Sequence, residues 1–232
     1  MTEFRPGGFN VIPAVIKNLL IVNVLVFFAQ FTFQNSQAFS IDNLFALHEV
    51  RSEYFKPHQL VTYMFLHGDF GHLFFNMFAL WMFGATLENV WGAKRFLIFY
   101  IACGLGAAVL HMVVLYFEFS PIYDLLANPM LHPDDRELAT RIVNNGTLGA
   151  SGSVFGCLAA FGYLFPNSVV YLYFLFPIKV KWFVLFYAGL ELFLGIQNSA
   201  GDNVAHWAHL GGAGVGILLV ILWNKKNRKT FY

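Results

Sequence analysis

The chain has 232 residues, of which 58% are hydrophobic, 19% aromatic and only 12% charged. A soluble domain carries about 25% charged residues, so this chain lacks the polar surface to cover a globule and reads as an integral membrane protein. A formal net charge of +1 gives no electrostatic case for nucleic acid, and the length leaves room for about six spans with their loops.

Residues 1–10 form a polar N-terminal segment. The apolar stretch 11–33 that follows is too long for a signal peptide and is expected to stay as the first span. Within it Lys17 snorkels to the interface and Asn23 serves as an interhelical hydrogen bonder. Residues 34–71 make an outer loop carrying Asp42, Glu49, Arg51, Glu53 and Lys56. Its 60–66 stretch is too apolar for an exposed loop and should dip into the interface or pack on the bundle. The second span covers 72–90, and Trp91 in the tight turn that follows sits at interfacial depth. The third covers 96–117.

Residues 118–148 read as a polar outer loop. They contain a short surface helix over 134–143, because Pro133 precedes it and Asp134 and Asp135 occupy its first turn. The fourth span, 150–165, is short; an aromatic connection leads to the fifth at 182–196, and a brief polar loop, 197–203, to the sixth at 204–223. A basic tail, 224–232, ends the chain. The predicted fold is a single all-α domain over 1–232, a polytopic membrane bundle of six transmembrane helices. Lysine and arginine fall mostly on one side: Arg5, Lys17, Lys94, Arg95, Lys179, Lys181 and the tail face the N-terminal side, against Arg51, Lys56, Arg136 and Arg141. That asymmetry places both termini in the cytoplasm.

Chemistry concentrates at Gly149-Ala-Ser-Gly152, where a polar loop becomes an apolar helix. Gly152 and Gly156 form a small-xxx-small pair, repeated by Gly212 and Gly216 one turn after His209. Two smooth helix faces pressed together would bring Ser151 to His209, a hydroxyl to the base it needs. His72 and Asn76 begin another span at the same predicted depth, and intramembrane polar residues are functional candidates by default. Phe155, four residues after Ser151, shares its helical face and is placed to stack on the imidazole. Asn76, His72 and the Ser151 N–H are candidate oxyanion donors. No carboxylate is placed by the sequence as a third member, so a Ser–His dyad is expected.

Other polar residues read as structural. His206 and His209 have a metal-pair spacing, but with no carboxylate assigned to them and no H-E-x-x-H no metal is expected. His67 is read as a loop-fixing hydrogen bonder, and Glu88 and Glu191 as structural hydrogen bonders. Cys103 and Cys157 lie in apolar stretches and read as small buried residues.

The ordered set His67-x4-His72-x3-Asn76, Gly149-x-Ser151-Gly152 and Ala208-His209-x2-Gly212-x3-Gly216 resembles the rhomboid family of intramembrane serine proteases. By position, Ser151 resembles the family nucleophile and His209 its general base. Asn76 and His72 resemble its oxyanion residues, and Gly149 and Gly152 its flanking glycines. The resemblance implies no cofactor, transmembrane protein substrates held in a lipid bilayer, and residence in a bacterial inner membrane. It also implies a cap loop at 197–203 and a lateral gate in the fifth span. Pro57-His58-Gln59 departs from the family's tryptophan-containing motif in the first loop, and 118–148 is long for the simple six-span form. The competing readings are a silent rhomboid-like binder of membrane helices and a solute or proton transporter. A silent relative typically loses the serine or histidine, and a transporter calls for an inverted repeat.

Overall fold

The computed structural model describes residues 9–34, 40–172, 176–197 and 204–227. In chain order it contains α1 Ala14–Phe33, α2 Ile41–Phe45 and α3 Gln59–Thr62, which tightens into a 3₁₀ turn at Tyr63–Phe65. Then α4 Phe70–Ala79 passes through a π-helical turn, Leu80–Gly84, into α5 Ala85–Trp91. Next come α6 Ala93–Leu126, α7 Pro133–Val143 and α8 Ser151–Leu164. A two-stranded antiparallel hairpin of β1 Val169–Leu172 and β2 Phe176–Lys179 leads into α9 Val180–Gln197, and α10 His206–Asn227 closes the order. The predicted cap loop lies outside the described residues from 198 to 203, as do residues 1–8 of the N-terminal segment and 228–232 of the tail.

The protein is a helical membrane bundle, with the small hairpin as its strand content among the described residues. Among the described residues, five stretches are long and apolar enough to cross a bilayer: α1, the joined α4–α5, α6, α9 and α10. The remaining apolar helix, α8, has 14 residues. That is about 21 Å of rise against a hydrocarbon core of about 30 Å. The fourth predicted span, 150–165, is therefore too short to cross by itself, and its first residue, Ser151, starts below one face if its other end reaches the opposite one.

Close packing of α8, α10 and α6 forms the centre. A Cβ on Gly212 would overlap the carbonyl oxygen of Gly152, and one on Gly216 would come within 2.7 Å of the Gly156 oxygen. One on Gly211 would lie 2.8 Å from the Gly106 oxygen, so backbone meets backbone along both sides of α10. Aromatic residues of α6 fill the space beneath, with Phe96, Phe99 and Tyr100 fully buried. The apolar 60–66 stretch packs into this core: Tyr63, Met64 and Leu66 are buried, and the Tyr63 hydroxyl donates to the Gly104 carbonyl at 2.8 Å.

α1 lacks a side-chain cap of its own, since Pro13 stands at its N-cap. Buried Glu88 on α5 supplies the acceptor, its two carboxylate oxygens each taking a backbone N–H, from Val15 and Ile16, at 2.9 Å.

Of the boundaries that differ from the sequence reading, two are explained by a side-chain partner. α4 starts at Phe70 because the Asp69 side chain caps it, accepting the His72 N–H at 2.9 Å. More substantially, α6 does not stop near residue 117 but runs through Glu118 and Pro121 to Leu126. Arg51 splints it across the proline. Its guanidinium lies 4.2 Å from the ring centres of both Tyr116 and Tyr123 and donates to the Tyr116 carbonyl at 2.7 Å. The first part of the supposed outer loop is thus helix, and α7 follows a short turn.

Candidate active site

Gly149 ends the loop before α8 in a conformation, φ +133°, that a side chain rarely adopts. Its N–H donates to the Tyr63 carbonyl at 2.9 Å, tying the loop to the core. A Cβ there would meet His72 Nε2 at 2.8 Å and Ser151 Oγ at 3.6 Å. The imidazole and the hydroxyl therefore line one small space that only glycine leaves open. The His72 Nδ1 accepts the Gly68 N–H at 3.4 Å, which leaves the ring proton on Nε2, the edge turned to Gly149. The first intrahelical bond of α8 runs from the Val154 N–H to the Ala150 carbonyl at 3.1 Å. The N–H groups of Ser151, Gly152 and Ser153 precede that ladder, at the positive end of the helix.

On the facing side, α10 carries His206 and His209 in its first turn. His209 Nε2 lies 2.8 Å from Ser151 Oγ. The Phe155 ring lies flat on the imidazole, 4.2 Å between centres and 4° from parallel, and Tyr187 of α9 flanks Phe155 at 5.0 Å. The glycine pairs bring these groups together: with side chains at 152 and 212 the helices could not approach closely enough.

Asn76 is buried and belongs to the same α4 face as His72, but its amide donates to the His72 carbonyl at 3.0 Å. One of its two amide hydrogens is used this way, leaving the other for a ligand. His67, read as a hydrogen bonder, differs: it is the backbone N–H that bonds, to Gln30 Oε1 at 3.0 Å, while both buried ring nitrogens lack a partner. Its ring packs edge-on against His72 at 5.0 Å. Burial first, and the neighbouring His72 second, lower its pKa from 6.5 to about 4.

The largest correction concerns Glu191. By sequence, Glu191 reads as a structural hydrogen bonder, and no carboxylate is expected beside the histidines or as a third partner of the Ser–His pair. In the structure Glu191 Oε2 lies 2.8 Å from His209 Nδ1 and 2.7 Å from His206 Nδ1, with all three residues buried. The available signals were an acid within an apolar span and two histidines three apart on one face. What was missing was the rotation of α9 that turns Glu191 to them. These three ligand atoms lie within 4.8 Å of one another, a grouping able to hold a metal ion, though the two hydrogen bonds already satisfy them pairwise. A cavity of about 380 Å³ adjoins His206, lined also by His111, Glu118, Thr147, Gly195 and Trp207.

A short apolar helix, a glycine-sealed crossing and a hydroxyl–imidazole contact define a polytopic membrane protein with a polar site held between helices. The sequence model of the Rhomboid domain matches residues 54–226. The chain belongs to the rhomboid family. It is similar to rhomboid protein 1, mitochondrial, of Saccharomyces cerevisiae, 33% identical over 159 residues, covering 66% of this chain and 38% of that protein. RHOMBOID-like protein 12, mitochondrial, of Arabidopsis thaliana is 28% identical over 218 residues, covering 94% and 60%. Rhomboid protease AarA of Providencia stuartii is 30% identical over 174 residues, covering 69% and 53%. The chain thus spans between 38% and 60% of the length of these relatives.

Proposed function

We propose that the protein is an intramembrane serine endopeptidase that cuts transmembrane segments of other membrane proteins. The observation that carries this reading is the 2.8 Å contact between Ser151 Oγ and His209 Nε2 at the foot of a helix too short to span. A substrate segment unwinds beside the site and presents an extended peptide bond. His209 takes the Ser151 proton as the hydroxyl attacks the carbonyl carbon. The oxyanion forms against the Ser151 N–H, the free hydrogen of Asn76 and His72 Nε2–H, each such donor contributing about 3 kcal/mol. His209 then protonates the leaving amine, and water hydrolyses the acyl-enzyme. Phe155 keeps the imidazole in plane, and Gly149, Gly152, Gly212 and Gly216 keep the two helices close enough to react. The relative named a rhomboid protease supports the same reading.

The whole of 1–232 forms one rhomboid-like membrane domain in this proposal, with both termini on the cytoplasmic side of a bacterial inner membrane. The lysine and arginine asymmetry supports the orientation. Reporter fusions to each end test it, and an external reading at either end would reverse it.

The activity is tested with a fluorophosphonate probe and a single-pass membrane substrate in liposomes. Wild type should label and cleave. Ser151→Ala and His209→Ala should each lose more than about 10³-fold in turnover while folding normally. Cleavage retained in Ser151→Ala ends the assignment.

A further inference from the structure

We propose that Glu191 is a positioning residue for His209, so that this chain works with a Ser151–His209–Glu191 line rather than with serine and histidine alone. The inference rests on the protease reading above and deepens it.

A carboxylate in an apolar helix is costly unless its oxygens are bonded, and Glu191 is buried on α9, a helix apolar along its length. Its acceptor is Oε2, which receives Nδ1 of His209 and Nδ1 of His206. An ionised carboxylate only accepts, so both imidazoles must carry their proton on Nδ1. For His209 the consequence is specific. With Nδ1 protonated, Nε2 holds the lone pair, and Nε2 is the atom 2.8 Å from Ser151 Oγ. The carboxylate thus selects the one neutral tautomer able to accept the serine proton. After transfer, His209 carries a positive charge with Glu191 beside it. The proton goes on to the leaving amine, and Glu191 stays ionised throughout.

His206 has a separate part. By donating to the same oxygen it pins the carboxylate from a second direction, so Glu191 cannot rotate away from His209. Phe155 fixes the plane of the imidazole and Glu191 fixes which nitrogen faces the serine. A purely structural tie between α9 and α10 would need neither the choice of nitrogen nor the alignment with Ser151.

The convergence of two N–H donors on one atom sets the outcome of substitution. In Glu191→Gln the amide oxygen takes the Oε2 position, because the amide nitrogen there would face two donors. The tautomer survives and only the charge is lost, so kcat should fall about tenfold with KM unchanged within about twofold. In Glu191→Leu both are lost and kcat should fall by about 10³-fold or more. Fluorophosphonate labelling rates should fall in the same order. Nitrogen NMR of ¹⁵N-histidine-labelled full-length protein in micelles reads the tautomer directly. His209 should be protonated at Nδ1 in wild type and in Glu191→Gln, and should populate the Nε2–H form in Glu191→Leu.

A wild-type His209 protonated at Nε2, or Glu191→Leu turnover within twofold of wild type, would overturn the assignment. If Glu191→Leu does not fold, the wild-type tautomer and the tenfold loss in Glu191→Gln still decide it. Should wild type neither label nor cleave, the protease reading fails by itself, and the His209 tautomer in wild type still tests whether Glu191 positions it.

Discussion

The α8–α10 seam and the peripheral helices α1 and α9 are held by different physics. In α10, 39% of the apolar window is buried, against 17% in α1 and in α9. The seam closes at its glycines, which let carbonyl oxygens of one helix touch the backbone of the other. Dispersion and close approach bind it, as expected where lipid offers no hydrophobic gradient. The outer helices have too little shared surface for that. Each carries a tie to a buried carboxylate beside its apolar contacts, α1 through Glu88 and α9 through Glu191. Shape gives a rigid contact, and a polar tie gives a local one that can be made or lost without disturbing the rest. Ser151 and His209 sit on the rigid part, where a shift of an ångström would separate them.

The seam breaks most easily at Gly212. Gly212→Val should destabilise the protein by more than about 3 kcal/mol, since the branched side chain would have to enter the Gly152 backbone. Thermal unfolding in detergent reads this loss, and a melting temperature within a few degrees of wild type would contradict the close-approach account.

The ties are tested one at a time. Glu88→Ala leaves two N–H groups of α1 without an acceptor and should cost about 3 kcal/mol. Protease sensitivity should rise first near residues 9–13, whereas uniform sensitivity would argue against a local tie.

Acid should also loosen the α1 side before the seam, through His67, whose N–H is bound by Gln30 of α1. Its folded pKa, about 4, lies below the unfolded value of 6.5. The unfolded chain therefore takes up the proton first as pH falls. This contribution is flat above about pH 7, and stability drops between pH 6.5 and 4 by roughly 3 kcal/mol. His67→Phe should flatten that part of a stability-against-pH curve, and an unchanged slope would remove His67 as its source.

Smaller effects sharpen the contrast. Phe155→Leu loses the stacked ring beside His209, a contact of about 1 kcal/mol, so turnover should fall several-fold with little change in melting. Gly189→Ala on α9 meets nothing within 4 Å and should stabilise by about 0.5–1 kcal/mol through helix propensity. Equal penalties at Gly189 and Gly212 would erase the distinction between periphery and seam.

Short-range pattern in the sequence carried much of this. Apolar runs read as membrane helices because a bilayer admits few other structures. The spacing of Gly152, Gly156, Gly212 and Gly216 pointed to a helix crossing, and the four-residue step from Ser151 put Phe155 on the serine's face. These are periodicities within single helices, and the helix geometry that gives them meaning is fixed in advance.

Tertiary structure alone decided the rest. Apart from Glu191 and its polar ends, α9 is apolar all round, so no stripe in its sequence says which face turns inward. Its rotation, and with it the meeting of Glu191 with His206 and His209, is set by packing against α8 and α10. In α6, the polar stretch from Glu118 reads as an outer loop, yet Arg51, far earlier in the chain, carries the helix into it and past Pro121 by stacking on Tyr116 and Tyr123. In both cases the deciding partner is distant in sequence, and a local pattern holds no record of which distant residue will arrive beside it.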